Sequence, residues 1–527
     1  MGNRRVFNTL VWLGVAFAVL LMLIVDYNQR PWIDEVGTAD SAINWVTKGE
    51  WRSNVWNYTY QPAYTVVLAG WLSVFGVSHA AVCNLGVFLT LLCFVFVGWK
   101  LTRGREPFVP DVRSAVLFSL LFWVPFASWW AGFGRIDTLA MLAGAVFVAC
   151  LLQADVSAWG GRLAIFLSAA VLMLSTLYAI PVAALFAVFL FAFDYGRRGR
   201  ACWLFKGLWA ASGFVVGMAL TLAFHAHHNF LLHYIGAPLT GATAPWWNLV
   251  MRTLHSLVGL PLDEGNLLLR LMHGYTSDPA TVVLCALCWF LLVAARRRGM
   301  AGRDEMLLLA FVSSVPLVFT LFGRCNRDYL WSFSVPTFAL FVHLLGRGPW
   351  RRWLRWWSVC VFVFLVSSVE IARFCTYYVL PSPSRAEMMR RTTRFLDSHS
   401  DILAAADNIY VAHTTPNLDI YGYYQMVPYG KELWLLYYDN IEVPDVVSGC
   451  APLRSLLSAV GYEERQPSPY LPDSGVMFVA PHTAPFSSQA FAERFVDTDT
   501  IVAEDGFALL RFRRNGVSRP SPGGVNN

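Results

Sequence analysis

The sequence is short of charge. Asp, Glu, Lys and Arg make up 14% of its 527 residues, against 56% hydrophobic ones. A soluble chain of this length carries roughly 25% charged residues. With a mean hydropathy of +0.49, the deficit excludes an ordinary soluble protein and predicts a chain that crosses a membrane repeatedly. A cysteine framework is lacking too. Cys83, Cys93, Cys150, Cys202, Cys285, Cys288 and Cys360 fall in or beside apolar runs, where cysteine behaves as a small hydrophobe. Cys285 and Cys288 share the spacing of a redox or metal motif, but on an expected membrane helix. Cys325, Cys375 and Cys450 are an odd set that fixes no pairing. There is no internal repeat. The first apolar run is expected to be a span rather than a cleaved signal, being too long and lacking a small-residue cleavage site.

Apolar runs able to cross about 30 Å of hydrocarbon lie near 7–26, 79–99, 114–130, 137–153, 163–177, 181–195, 207–225, 279–295, 306–323, 329–345 and 355–374. They predict a polytopic α-helical membrane protein of about eleven spans. Within 163–195, "STLYAIPVAAL" reads either as a helical hairpin or as part of one kinked helix. Basic residues crowd alternate connections: "GNRR", "KLTRGREPFVPDVR", "DYGRRGR", "ARRRGMAGR" and "RGPWRRWLR". The positive-inside rule places these and the N-terminus in the cytoplasm, and an odd span count puts everything after about residue 375 outside. Topology thus accounts for the +6 formal charge, and no nucleic-acid partner is expected.

The outer connections are the informative ones. In 26–78, the stretch "QPAYTVVLAGWLSVFG" is too short to span comfortably and predicts an interfacial helix. After residue 375 the composition turns ordinary. Runs such as "NIYVAHTT", "VMFVAP" and "FALLRFRR" alternate with the amphipathic "AEMMRRTTRFLDSHSDI", predicting a C-terminal extracytoplasmic α/β domain. The division expected is a membrane domain over 1–375, a soluble domain over 376–515 and a disordered tail over 516–527.

Against so little charge, "RPWIDEVGTADSAINWV" stands out, with Asp34 and Glu35 adjacent just beyond the first span. They read either as first-turn residues opposing a helix dipole or as working carboxylates. "GFGRIDTLAMLAGAVFVACLL" sets Arg135 and Asp137 at the outer end of the fourth span. Ionisable groups at that depth pair locally or face a cavity.

The order of these segments resembles the GT-C superfamily of polyprenyl-phosphate-sugar glycosyltransferases, in the bacterial branch related to protein mannosyltransferases and lipid A-modifying transferases. The resemblance covers roughly residues 1–155. It departs from the usual Pro-Pro-Leu-Tyr at Gln61-Pro62-Ala63-Tyr64, and from Arg-X-Asp-Ala-Leu at Arg135-Ile136-Asp137-Thr138-Leu139. A weaker echo lies in "GRCNRDYLWSFSVPTFALFVHLL", where Asp328 separates Arg327 from Tyr329.

The resemblance implies a glycosyltransferase of the inner, or plasma, membrane that moves a sugar from a polyprenyl-phosphate donor to a lipid, glycan or protein acceptor. Asp34 would take the acceptor proton, with Glu35 positioning the acceptor or supporting the first loop and Asp137 completing the catalytic set. Arg135, Arg324 and Arg327, with Tyr329 beside them, would bind the donor phosphate through forked hydrogen bonds. No organic cofactor is implied, and a divalent metal stays open. "FHAHHNFLLHY", with His225, His227, His228 and His233, reads as metal ligands or as interfacial histidines. Asp263 and Glu264 read as a turn or as acceptor-facing groups. Two other classes compete: a transporter or lipid flippase, which would often show related halves, and an assembly protein whose carboxylates are only caps.

Overall fold

The structure is a computed structural model. It describes residues 33–51, 62–102, 136–176, 199–228, 279–297, 299, 302–321, 385–412, 422–436, 474–481 and 495–514, with scattered positions in 337–344 and 455–461. Eight helices come first: α1 (Ile33–Lys48), α2 (Pro62–Phe75), α3 (His79–Thr102), α4 (Ile136–Gln153), α5 (Trp159–Ser175), α6 (Gly199–His227), α7 (Pro279–Arg296) and α8 (Arg303–Leu321). Six of the runs expected to span are helical, as α3 to α8. The runs at 7–26, 114–130, 181–195 and 355–374, and most of 329–345, lie outside the described residues. Leu204–His227 in α6, 24 residues at a hydropathy of 1.7, is long and apolar enough to cross a membrane, whereas the other described apolar stretches are shorter.

The expected interfacial segment is α2. Pro62 opens it, where the missing N–H costs nothing. Tyr64, Leu68, Ala69 and Leu72 form its buried face, at helical spacing. The opposite face is also apolar, with Val66, Val67 and Val74 exposed. A helix apolar on both faces suits packing inward on protein and outward on lipid.

Helices α5 and α6 meet backbone to backbone. A Cβ on Gly213 would lie 2.3 Å from the Phe166 carbonyl oxygen, and one on Gly217 would lie 2.7 Å from that of Ala170. The run "GFVVG" thus supplies two side-chain-free positions one turn apart, which is how helices approach closely without a hydrophobic driving force between them. On the same helix, buried Lys206 donates from Nζ to the Leu151 carbonyl at 2.7 Å. That carbonyl is among the last four of α4, which have no intrahelical partner.

The C-terminal region adds α9 (Arg385–Ser398), α10 (Ser400–Ala405), β1 (Asn408–Ala412), α11 (Tyr423–Met426), β2 (Glu432–Leu436), β3 (Ser474–Val479), β4 (Phe495–Glu504) and β5 (Phe507–Arg514). The strands form one sheet in the order β2-β1-β3-β5-β4. β1 runs parallel to both its neighbours, while β3–β5 and β5–β4 are antiparallel. The β4–β5 hairpin turns on Asp505 and Gly506, at φ 52° and 83°, the paired positive angles that an Asp-Gly turn supplies.

Residues alternate across this sheet. Tyr410, Met477, Leu510 and Phe512 make a small core on one face. On the other, Ile409, Val411, Val476, Phe478 and Leu509 join a larger core that also holds Phe395 and Leu396 of α9. That core continues without a break into Val36, Ala39 and Ile43 of α1, Tyr64 and Leu68 of α2, Val82 and Leu85 of α3, and Leu139 of α4. The C-terminal sheet therefore sits on the same side of the bundle as α1, α2 and the start of α3.

Candidate functional site

Asp34 lies in the first turn of α1, whose first residue is Ile33. The backbone there is described; the Asp34 side chain is not. Its neighbour Glu35 is wholly buried. Burying a carboxylate is costly unless partners replace its water, and Glu35 has them. The Tyr424 hydroxyl donates to Oε1 at 2.8 Å. His79 Nε2 lies 3.3 Å from Oε2 and 3.2 Å from Oε1. Cys83 Sγ lies 3.7 Å from Oε2 and 3.4 Å from His79 Nε2. His79 and Cys83 stand four residues apart in the first turns of α3, which puts both side chains on one face.

A second contact runs alongside. The Tyr423 hydroxyl donates to Oδ1 of Asp40, and both groups are buried. Adjacent tyrosines of the short helix α11 thus reach two carboxylates five residues apart on α1. Burial, reinforced by the negative charge of Glu35, pushes the Tyr424 hydroxyl well above the usual tyrosine range. It therefore keeps its proton and stays a donor through neutral pH.

Asp137 is also buried and sits in the first turn of α4, where a carboxylate opposes the helix dipole. Two residues on, Leu139 enters the core that also holds residues of α1, and Met141 lies against Cys93, in the middle of α3. Trp51, just past α1, packs edge-on to Phe224, with centroids 4.2 Å apart, and stacks on His228 at 5.6 Å. That contact brings the C-terminal end of α6 against the chain just past the end of α1.

Of the site residues marked in the sequence, Glu35, Asp137, His225, His227 and His228 are placed with their side chains. Arg135, Arg324, Arg327 and Tyr329 lie outside the described residues, as do His233, Asp263 and Glu264. Sequence reasoning missed His79, Cys83, Tyr423 and Tyr424, and it missed a partner for Asp40. Cys83 is not the isolated hydrophobe that its apolar run implied, because its sulfur faces Glu35 and His79. A His and a Cys four residues apart, opening the span next after a carboxylate pair, was the available signal. Nothing in "GYYQM" marks its tyrosines. Among the described residues, metal-ligand atoms gather within 4.8 Å at Glu35, His79 and Cys83, and not at the histidines of α6.

No protein-family model and no curated protein matches the sequence. Solved structures do. The chain is similar to the crystal structure of ArnT from Cupriavidus metallidurans bound to undecaprenyl phosphate, with a TM-score of 0.55 and 15% identity over 95% of this chain and 97% of that one. It is similar also to the apo state of ArnT from the same organism, with a TM-score of 0.53 and 15% identity over 96% and 98%. At this identity the likeness is one of fold, and it extends over nearly the whole of both chains.

Proposed function

We propose that the protein is a GT-C-type membrane glycosyltransferase. It transfers a sugar from a polyprenyl-phosphate donor to a lipid, glycan or protein acceptor at the outer face of the cytoplasmic membrane. The observation that carries this reading is the near full-length likeness to ArnT, one form of which binds undecaprenyl phosphate. It is the fold that the order of the sequence motifs implies. In this reading residues 1–375 form the multi-pass catalytic unit, residues 376–515 an extracytoplasmic domain and residues 516–527 a tail.

The chemistry follows from the residue types. Displacing a phosphate from the anomeric carbon in one inverting step needs a base at the acceptor hydroxyl and cations at the departing phosphate. Asp34, at the boundary between water and lipid, is the base. Arg135, Arg324 and Arg327, with Tyr329, hold the phosphate. Asp137, in the first turn of α4, completes the acidic set. Of the two roles open to Glu35, its complete burial under Tyr424 favours support of the first loop over contact with the acceptor. No step calls for an organic cofactor.

The test is transfer by the purified full-length protein, offered a panel of radiolabelled polyprenyl-phosphate sugars with membrane lipid extract as acceptor. Transfer from at least one donor, lost in Asp34→Asn, is the expected result. No transfer from any donor, combined with passage of intact lipid-linked sugar between the leaflets of vesicles, would replace this reading with the flippase one.

A further inference from the structure

We propose that Glu35, His79 and Cys83 form a zinc site that fastens the start of α1 to the outer end of α3. The inference goes beyond glycosyl transfer and does not rest on it. Metal binding is read without any substrate, so either proposal can fail alone.

The geometry is the first argument. Oε2 of Glu35, Nε2 of His79 and Sγ of Cys83 form a triangle with edges of 3.3, 3.4 and 3.7 Å. A tetrahedral zinc ion bonds nitrogen and oxygen at about 2.0–2.1 Å and sulfur at about 2.3 Å, which spaces the first two about 3.3 Å apart and the sulfur about 3.5 Å from each. The triangle therefore already has the edges of a zinc tetrahedron's face. The two edges that meet at Oε2 fit a thiol proton and an imidazole proton, and the Sγ–Nε2 edge is a van der Waals contact. A central cation would instead bond all three atoms at once.

Charge and softness are the second argument. The three groups are buried, and a buried ion must be neutralised. One carboxylate and one thiolate balance a divalent ion, with the imidazole neutral, and the thiol proton leaves to solvent on binding. A mixed oxygen, nitrogen and sulfur set suits zinc, whereas magnesium and calcium take oxygen alone. A water would complete the tetrahedron.

The surroundings are the third argument. Tyr424 donates to Oε1, the carboxylate oxygen on the other side from the cysteine contact. A hydrogen bond to the second oxygen of a ligating carboxylate is how proteins orient such ligands.

The test uses the full-length protein in detergent, purified without chelator, with metal content measured by inductively coupled plasma mass spectrometry. About one zinc per chain is expected. Cobalt replacing it should give tetrahedral d–d bands and a thiolate charge-transfer band. Cys83→Ser and His79→Gln should lose the metal. Cys83→Asp, which keeps an anionic ligand, should retain cobalt and its d–d bands but lose the thiolate band. Tyr424→Phe should weaken binding about 10–100-fold. Wild-type protein that melts cooperatively yet takes up neither metal would overturn the proposal. So would a Cys83→Asp variant with an unchanged thiolate band. Because the cobalt titration can be run on the wild type alone, the inference stays exposed even if every variant misfolds.

Discussion

The Tyr424 hydroxyl donates to Oε1 of Glu35 across 2.8 Å, joining residues 389 apart in the chain. Both side chains are buried, so the bond ties the C-terminal sheet region to the helix that begins with the Asp34–Glu35 pair. Removing the hydroxyl in Tyr424→Phe leaves a buried carboxylate short of a donor. Hydrogen bonds to charged groups contribute about 1.5–3 kcal/mol, and the loss should be of that size in denaturant unfolding. In a double-mutant cycle with Glu35→Gln, the two changes should be non-additive by about 0.5–3 kcal/mol. Full additivity would mean that the two groups do not interact.

The same hydroxyl sets an alkaline limit. Burial and the Glu35 charge raise its pKa well above the ordinary value. Below about pH 10 both folded and unfolded chains hold the proton, and the group adds no pH slope. Above that the unfolded chain releases the proton while the folded chain keeps it, so stability falls as pH rises. The slope from this group approaches about 1.4 kcal/mol per pH unit. Unfolding measured at several pH values above 10 should show wild type losing stability faster than Tyr424→Phe; parallel curves would contradict the burial of a protonated Tyr424.

Asp34→Asn separates base from helix terminus. If Asp34 takes the acceptor proton, turnover should fall by about 10²–10⁴, with donor affinity nearly unchanged. If it only opposes the dipole of α1, the cost is about 0.3–1 kcal/mol of stability, and transfer stays near normal. Side-by-side turnover and thermal unfolding decide between the two.

If Arg327 holds the donor phosphate, Arg327→Ala should show a different pattern, because such a group acts in binding as well as in turnover. Both the donor dissociation constant and the turnover should worsen. Arg324→Ala, read in the same titration, assigns which arginine contacts the phosphate: the one whose loss weakens donor binding more.

Gly217→Leu tests the close approach of α5 and α6. Even a Cβ there would lie 2.7 Å from the Ala170 carbonyl and 2.8 Å from Met173 Cβ. A larger side chain forces the helices apart, at a cost of about 1–3 kcal/mol or more. Detergent melting should show the drop, while Gly207→Leu, with nothing within 4 Å of its Cβ, should leave the melt unchanged.

Much of the helical framework was legible because a long apolar run admits few structures. The runs at 79–99, 137–153, 163–177, 207–225, 279–295 and 306–323 became α3 to α8. In the C-terminal region β1, β3 and β5 were legible from "NIYVA", "VMFV" and "FALLRF". β2 and β4 were not. They are the two edges of the sheet, and an edge strand with one neighbour needs less of the apolar signal that marks a central one; in β4 the run "DTDT" hides it further.

The site divides in the same way. Glu35 was readable because carboxylates are scarce in this chain. Its tyrosine partner was not, since nothing local in "GYYQM" points to a carboxylate 389 residues earlier. Cys83 misled, because a cysteine in an apolar run looks like packing whether or not a histidine stands one turn before it. The "GFVVG" spacing was visible but was not singled out; only the contact with α5 gives it meaning.

The long reach from α11 back to α1 also orders events in time. Helix α1 is synthesised early, yet its core is closed by Phe395, Leu396, Tyr423 and Phe478, which come near the end. Synthesis proceeds at about 5–20 residues per second, so Glu35 waits on the order of 20–80 s for Tyr424. Through that interval the newborn α1 and α2 present an uncovered apolar face, and Glu35 has His79 and Cys83 but not its tyrosine donor. A chain stopped before residue 385 never leaves that condition, so a segment made late is also the one that certifies a segment made early.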